Sequence, residues 1–285
     1  MRVHHLNCGS LSAVAPVGTS LAPARAVCHC LLIETDRDGL VLVDTGLGSA
    51  DLREPRRRLG SAWVDFADPL LDQDLTAVRQ VARLGFAAED VRHVVLTHLH
   101  RDHTGGLPDF PHARVHVHEA ELRAVTDPAA EHHQHSLDRF MAAHRTHGPR
   151  WAAARPDDTR TWFGIDGVAP LDGLPEDILL VPLPGHTPGH SGVAVRQPDR
   201  WLLHAGDAYF YHGELTADPP QPHPELQRIQ EGAQVDRERR VEVLHRLREL
   251  AHLRKDEVEI FCAHDPWEFQ RMSTPEEHGA GQVPS

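Results

Sequence analysis

Three imidazoles and a carboxylate fall within six consecutive positions, at His98, His100, Asp102 and His103, in the run Thr97-His98-Leu99-His100-Arg101-Asp102-His103-Thr104-Gly105-Gly106. His98 and His100 are two residues apart, so on an extended backbone their side chains point the same way. Asp102 and His103 come where the chain turns, and Gly105-Gly106 permits tight backbone there. Imidazole mixed with carboxylate suits borderline cations such as zinc. Crowding these groups together without a cation would gain little. Three later stretches supply the same residue types: Pro184 to Ser191 with His186 and His190, Leu203 to Asp207, and His264-Asp265. The chain holds 24 histidines, so histidine alone selects nothing; spacing beside carboxylates does.

The elements that carry these groups read as strands with functional loops at their ends. Cys28 to Thr35 is apolar and is followed by the turn Asp36-Arg37-Asp38-Gly39 and by Leu40-Val41-Leu42-Val43, which ends at Asp44-Thr45-Gly46. This predicts a hairpin of two buried strands. Val91 to Thr97 reads as a strand running into His98, and Arg114 to His118 as a short alternating one. Ile178 to Pro182, Ser191 to Val195, Trp201 to Ala205 and Val258 to Ala263 read as four more. Gly48 to Asp72 is poorly periodic and reads as a surface excursion. Leu75, Val78, Val81, Ala82 and Leu84 recur at helical spacing before Gly85. Glu119 to Trp162 reads as two or more helices. Val235 to Leu253 reads as a charged helix with an apolar stripe at Val241, Leu244, Leu247 and Ala251. The tail from Ser273 is rich in Pro, Gly and Glu and is expected to fray. No repeat and no linker divides the chain, which predicts one domain mixing helices and strands.

Composition narrows the function classes. The 285 residues carry 29 Lys and Arg against 42 Asp and Glu, a formal charge of −13, with no long basic run. That balance argues against wrapping nucleic acid or lying on anionic lipid. No apolar stretch approaches the roughly 18 residues of a membrane span. The four cysteines, Cys8, Cys28, Cys30 and Cys262, are too few for a disulfide scaffold, and one residue between Cys28 and Cys30 is not zinc-ribbon spacing. Ala24-Arg25-Ala26 faintly resembles a cleavage site, but no unbroken apolar run precedes it. The expected location is cytoplasmic. Neither a Gly-x-Ser-x-Gly elbow nor a phosphate-cradling Gly-x4-Gly-Lys-Ser/Thr run is present, which disfavours serine hydrolases and P-loop enzymes.

The H-x-H-x-D-H run at His98, His100, Asp102 and His103, the later His186, Asp207 and His264 in that order, and the hairpin ending Leu42-Val43-Asp44-Thr45-Gly46 together resemble the metallo-β-lactamase superfamily. The resemblance spans about Val27 to His264. It implies an α+β fold of αββα sandwich type, a single domain over 1–285 with a helical lid insertion at about 119–165 and a flexible tail at 273–285. It also implies a two-metal site at one edge of the sandwich. His98, His100 and His186 would bind one ion, Asp102, His103 and His264 the other, and Asp207 would bridge both. Zinc is the expected metal, with iron, manganese and cobalt as alternatives. Asp44 is expected to orient a ligand, with Asp265 and His190 as further candidates for that role.

Two such cations, about 3.5–4 Å apart, can hold a bridging hydroxide, and a single zinc lowers the pKa of bound water from about 15.7 to about 7. The implied reaction is attack of hydroxide on an electrophilic carbonyl, with Asp102 passing a proton to the leaving group. Within the superfamily the chain looks most like the N-acyl homoserine lactone lactonases, enzymes of quorum quenching. The likeness rests on Cys30-Leu31-Leu32-Ile33-Glu34-Thr35, on the Thr-Pro-Gly-His run around His190, and on Phe261-Cys262-Ala263-His264-Asp265. Those enzymes carry a tyrosine three residues after the bridging aspartate. Phe210 occupies that position here, flanked by Tyr209 and Tyr211, either of which is a candidate replacement. Trp151, Trp162, Phe163 and Phe140 are candidates to line a pocket under the lid. The expectation is hydrolysis of a small-molecule lactone or carboxylic ester, with a homodimer compatible. The alternatives are a β-lactam, thioester or phosphoester hydrolase on the same site, or a mononuclear iron persulfide dioxygenase.

Overall fold

The computed structural model describes residues 1–16, 22–134 and 139–274. Its first sheet has six strands in spatial order: β1 (Arg2–Val14), β2 (Ala24–Glu34), β3 (Leu40–Val43), β4 (Val91–Val95), β5 (Arg114–His118) and β6 (Arg150–Ala154). The first three pair antiparallel and the last four run parallel. A small hairpin, β7 (Thr161–Trp162) and β8 (Ile165–Asp166), leads to the second sheet. That sheet contains β9 (Ala169–Pro170), β10 (Ile178–Pro182), β11 (Ser191–Arg196), β12 (Trp201–His204) and β13 (Val258–Phe261). All its neighbours pair antiparallel except β12 and β13, which are parallel.

The continuous apolar runs are explained by burial of both faces of each strand. Leu31 and Ile33 of β2, with Val41, Val43 and Val95, face Ile178, Leu180, Val193, Val195 and Phe261 across the gap between the sheets. Cys30 and Leu32, with Leu40, Leu42 and Val94, face outward onto Ala77 and Val81. Each leucine so buried contributes about 1.5–3 kcal/mol. The second sheet repeats the arrangement. Its outer face, including Leu179, Val181, Leu203 and Ile260, packs on Val243, Leu247 and Leu250. Helices therefore cover both outer faces of a two-sheet sandwich, the αββα order expected.

The helices, in chain order, are α1 (Ser49–Arg53), α2 (Pro55–Leu59), α3 (Ser61–Ala67), α4 (Ala77–Arg83), α5 (Arg101–Thr104), α6 (Glu119–Thr126), α7 (Ala142–Arg145), α8 (His212–Thr216), α9 (Pro224–Ala233), α10 (Arg237–Leu253) and α11 (Pro266–Ser273). Asp236 caps α10 by accepting the Arg239 N–H at 3.0 Å.

Several expectations are corrected. The proposed surface excursion at 48–72 contains α1, α2 and α3. Among its described residues the region expected to be helical from Glu119 to Trp162 is helical at α6, at 133–134, at 139 and at α7, but not from Arg150 onward. It then forms β6, which extends the first sheet along β5, and enters the β7–β8 hairpin. Arg150-Trp151-Ala152-Ala153-Ala154 has no strand-like alternation, and its pairing with β5 decides its state. On α10 the buried stripe is Val243, Leu247 and Leu250, with Leu244 and Ala251 partly buried at its flank; Val241 lies off it. The strand β1 carries His4, His5 and Asn7 and two register irregularities, which hide its period in the sequence. The tail beyond residue 274 lies outside the described residues.

Candidate metal centre

The predicted donor residues sit past the ends of strands at one edge of the sandwich. His98, His100, Asp102 and His103 follow β4, Asp207 follows β12, and His264 follows β13. His186 lies in the connection from β10 to β11. The backbone between β4 and α5 keeps His98 and His100 on one side, and the first turn of α5 swings Asp102 and His103 to the other.

The donor atoms fall into two groups: His98, His100, His186 and Asp207, and Asp102, His103 and His264, the atoms of each group lying within 4.8 Å of one another. His186 Nε2 is 3.1 Å from His100 Nδ1 and 3.1 Å from Asp207 Oδ2. His98 Nε2 is 3.8 Å from the same Oδ2. The other oxygen, Asp207 Oδ1, is 3.3 Å from His103 Nε2 and 3.2 Å from His264 Nε2. His264 Nε2 lies 3.8 Å from Asp102 Oδ2. His264 Nε2 is also 3.3 Å from Asp207 Oδ2, so the Asp207 carboxylate lies between the two groups, with Oδ2 toward His186 and His98, Oδ1 toward His103, and His264 near both oxygens.

Around this cluster, neighbours set which ring nitrogen faces inward. His103 Nδ1 donates to Asp44 Oδ2 at 2.8 Å, and His264 Nδ1 donates to the Val27 carbonyl at 2.8 Å. Asp44 also accepts the Thr97 N–H and hydroxyl, each at 2.8 Å. Asp44 has φ +54°, an uncommon conformation that Asp tolerates better than most residues and that collects at functional sites. His190 is not in the donor set. Its Nδ1 donates to the Leu183 carbonyl at 2.7 Å, and its Nε2 accepts the Asp207 backbone N–H at 2.8 Å. Gly206 permits that approach: its φ is +53°, and a Cβ there would lie 2.7 Å from His190 Nε2. Asp265 instead caps α11 and accepts from the His212 ring.

Electrostatics follow the same pattern. Burial, reinforced by neighbouring imidazoles, holds His98 and His100 well below the usual histidine range. Burial also lowers His190, to about 3. For Asp207 burial acts upward, but His264, His103, His186 and His98 outweigh it and hold the carboxyl well below its ordinary value. For His103 burial acts downward and is outweighed by Asp207 and Asp44, which raise it.

The donor set fits a divalent cation. His98 Nε2, His103 Nε2 and Asp207 Oδ1 are buried with no hydrogen-bond partner. Each such orphan costs about 1–3 kcal/mol unless something binds it. Donors sharing one ion through bonds of about 2.0–2.1 Å sit roughly 3.3 Å apart, near the separations seen.

Sequence reasoning missed Glu121. This buried carboxylate on α6 accepts the Leu99 N–H at 3.1 Å and the Gly189 N–H at 2.9 Å. It ties the loop of His98 and His100 to the loop of His186 and His190. No local signal marks it, because its partners lie 22 and 68 residues away.

A cavity of about 440 Å³ opens beside the cluster, reaching His100, Asp102, Asp207 and His264. The tyrosine expectation is corrected here. The Tyr209 hydroxyl points into the core and donates to Glu268 at 3.0 Å, while Tyr211 packs on Trp267. Phe210 faces the cavity instead, its ring centroid 4.7 Å from that of His264. The expected pocket aromatics are corrected too. Phe140 and Trp151 belong to the core beneath the first sheet, and Trp162 and Phe163 to the core beneath the second. Trp63, Phe66, Leu226 and Ile229 line the cavity in their place.

A two-sheet αββα sandwich with a His/Asp donor cluster at one edge defines a metal-dependent hydrolase class. The metallo-beta-lactamase superfamily model matches residues 24–263, and the chain belongs to that superfamily. A probable metallo-hydrolase of Mycobacterium tuberculosis is 40% identical over 276 residues, covering 95% of this chain and 82% of that protein. The N-acyl homoserine lactonase AttM of Rhizobium johnstonii is 32% identical over 194 residues, 65% of this chain and 67% of that protein. Among solved structures, a quorum-quenching N-acyl homoserine lactone lactonase superposes with TM-score 0.64 at 21% identity, over 93% of this chain and 92% of that one. An N-acyl homoserine lactone hydrolase holding N-hexanoyl-L-homoserine at its catalytic metal centre superposes with TM-score 0.62 at 20% identity, over 96% of both chains. At those identities the likeness is of fold.

Proposed function

We propose that this chain is a dinuclear-metal hydrolase that opens a lactone or cleaves a related carboxylic ester, with an N-acyl homoserine lactone as the first substrate to test. The observation that carries the reading is the position of the Asp207 carboxylate between the two donor groups, within 3.3 Å of His186 on one side and of His103 and His264 on the other. His98, His100 and His186 would hold one ion, and Asp102, His103 and His264 the other, with zinc the metal that best suits imidazole and carboxylate. Bound divalent ions supply a water of lowered pKa and an electrophile for the carbonyl oxygen.

The chain's own residues do the rest. Asp44 and the Val27 carbonyl fix the imidazoles of His103 and His264 with Nε2 inward. His190 and Glu121 hold the backbone that carries Asp207 and His186. Asp102 lines the cavity and is the most exposed carboxylate of the set, at 15%. It would carry a proton to the leaving oxygen as the acyl C–O bond breaks and the new bond to water oxygen forms. The apolar lining of the cavity suits an acyl chain. The reading includes a single domain over 1–285, a small-molecule substrate and a cytoplasmic location, and it is compatible with a homodimer. Among the described residues no helix is long and apolar enough to cross a membrane.

The test is metal analysis and a hydrolysis panel on one sample. Two ions per chain with turnover of acyl lactones or aryl esters supports the reading. Turnover confined to β-lactams, thioesters or phosphoesters replaces the substrate class, and one iron with oxygen consumption replaces the reaction.

A further inference from the structure

Beyond the donors, the cavity is lined by residues of two kinds. Phe66, Leu226 and Ile229 give it apolar surface, and Arg101, Arg139 and Arg228 give it positive charge. Among the described residues lining it, the only carboxylates are Asp102 and Asp207, both in the donor set. Among the described lining residues the remaining formal charges are arginines, on a chain whose acidic residues outnumber its basic ones by 42 to 29. Two of the guanidinium groups are oriented by backbone carbonyls. Arg101 donates to the Leu59 carbonyl and lies over the Trp63 ring, and Arg139 donates to the Gly232 carbonyl at 3.1 Å. Arg228 is exposed, on α9 two turns or less from the residues that wall the cavity.

A guanidinium presents a planar fork of donors that matches the two oxygens of a carboxylate or the oxygens of a phosphate. Positive charge concentrated at a cleft on an otherwise acidic protein also draws anions toward it. We infer that the substrate is an amphipathic anion: its acyl portion lies along Phe66, Leu226 and Ile229, and a carboxylate or phosphate remote from the scissile carbonyl is taken by Arg139 and Arg228. This rests on the hydrolase reading above and adds the charge of the substrate to it. The chemistry selects a substrate with two separate ends, one hydrolysed and one recognised. A neutral acyl lactone uses only the apolar part of this cavity.

The experiment compares three p-nitrophenyl esters of matched chain length on the metal-loaded protein: the hexanoate, the adipate monoester and the 6-phosphohexanoate. At least one anionic ester is expected to exceed the neutral one in kcat/KM about tenfold, mainly through a lower KM. The better of the two anionic arms identifies the oxyanion. The preference is expected to shrink as salt rises, and to fall about tenfold in Arg228→Ala and in Arg139→Gln. Equal kcat/KM for all three esters, or a preference unchanged in both variants, overturns the anion site and leaves the hydrolase standing. Binding of adipate and of 6-phosphohexanoate is measured by calorimetry on the same preparations. If no ester is hydrolysed, arginine-dependent binding of either anion keeps the anion site while the hydrolase reading fails. Absence of binding of both overturns the anion site.

Discussion

Asp44 Oδ2 lies 2.8 Å from His103 Nδ1, and that contact turns Nε2 of the same ring toward Asp207 Oδ1, 3.3 Å away. The carboxylate sits at the end of β3 and the imidazole in α5, 59 residues later. Asp44 also receives both polar groups of Thr97, so it fixes the start of the loop as well as the ring. Outer partners of this kind typically set metal affinity by 10–100-fold. Asp44→Asn keeps the shape and removes the charge. A drop in metal affinity of about that size is expected in a chelator competition. Unchanged affinity would contradict the assigned role.

Asp207 is buried and lies within 3.3 Å of His186 in one donor group and of His103 and His264 in the other. Asp207→Ala is expected to lower the number of ions per chain and to abolish turnover. A variant that still binds two ions and works at full rate would show that the carboxylate does not bridge.

Glu121 ties two loops through backbone N–H groups, and Gly189 approaches it so closely that a Cβ there would lie 2.3 Å from the Glu121 nitrogen. Glu121→Leu leaves two buried N–H groups without an acceptor. The expected loss is on the order of 3 kcal/mol, read as a lower urea midpoint. Because the loops carry His98, His100 and His186, metal affinity is expected to fall as well. Stability lost with metal affinity intact would make Glu121 a scaffold residue only.

Tyr209 donates to Glu268 and does not reach the cavity. Tyr209→Phe should therefore leave kcat and KM as they are and cost about 1–3 kcal/mol of stability by removing a partner from a buried carboxylate. Tyr211→Phe should likewise leave turnover unchanged. A fall in kcat in either variant would restore tyrosine to the mechanism.

Glu268 gives a pH signature. Burial first, and then Asp265, raises its carboxyl from 4.5 to about 7. The folded state therefore holds this proton more tightly than the unfolded chain. The resulting stability is fully present below about pH 4.5 and is lost as pH rises through 7, a change of about 3 kcal/mol. Glu268→Gln should flatten that part of the stability curve between pH 5 and 8. Urea titrations across this range check it, and parallel curves for the two proteins would refute it.

How far the sequence could be read depended on whether the controlling interactions were local. All seven predicted donors meet at one edge of the sandwich because each follows a strand end or lies between two strands, and spacing of two on extended backbone is a local property. The two-sheet fold was legible for the same reason: runs such as Leu31-Leu32-Ile33 and Leu40 to Val43 are apolar on both faces, which only a doubly covered strand requires. Polar β1 and alanine-rich β6 were not legible, since pairing with β2 and β5 decides them.

By itself, then, the order of residues settled the donor chemistry of this protein and the layered architecture that brings it together. Tertiary packing alone decided that Phe210, and not the tyrosine on either side, faces the cavity, that Glu121 joins two loops, and that arginines from distant segments meet beside the donors. The physical reason is range. Ligand spacing and strand burial are written within a few consecutive residues, whereas the direction of one ring in a turn and the company kept by a guanidinium depend on contacts between segments far apart in the chain.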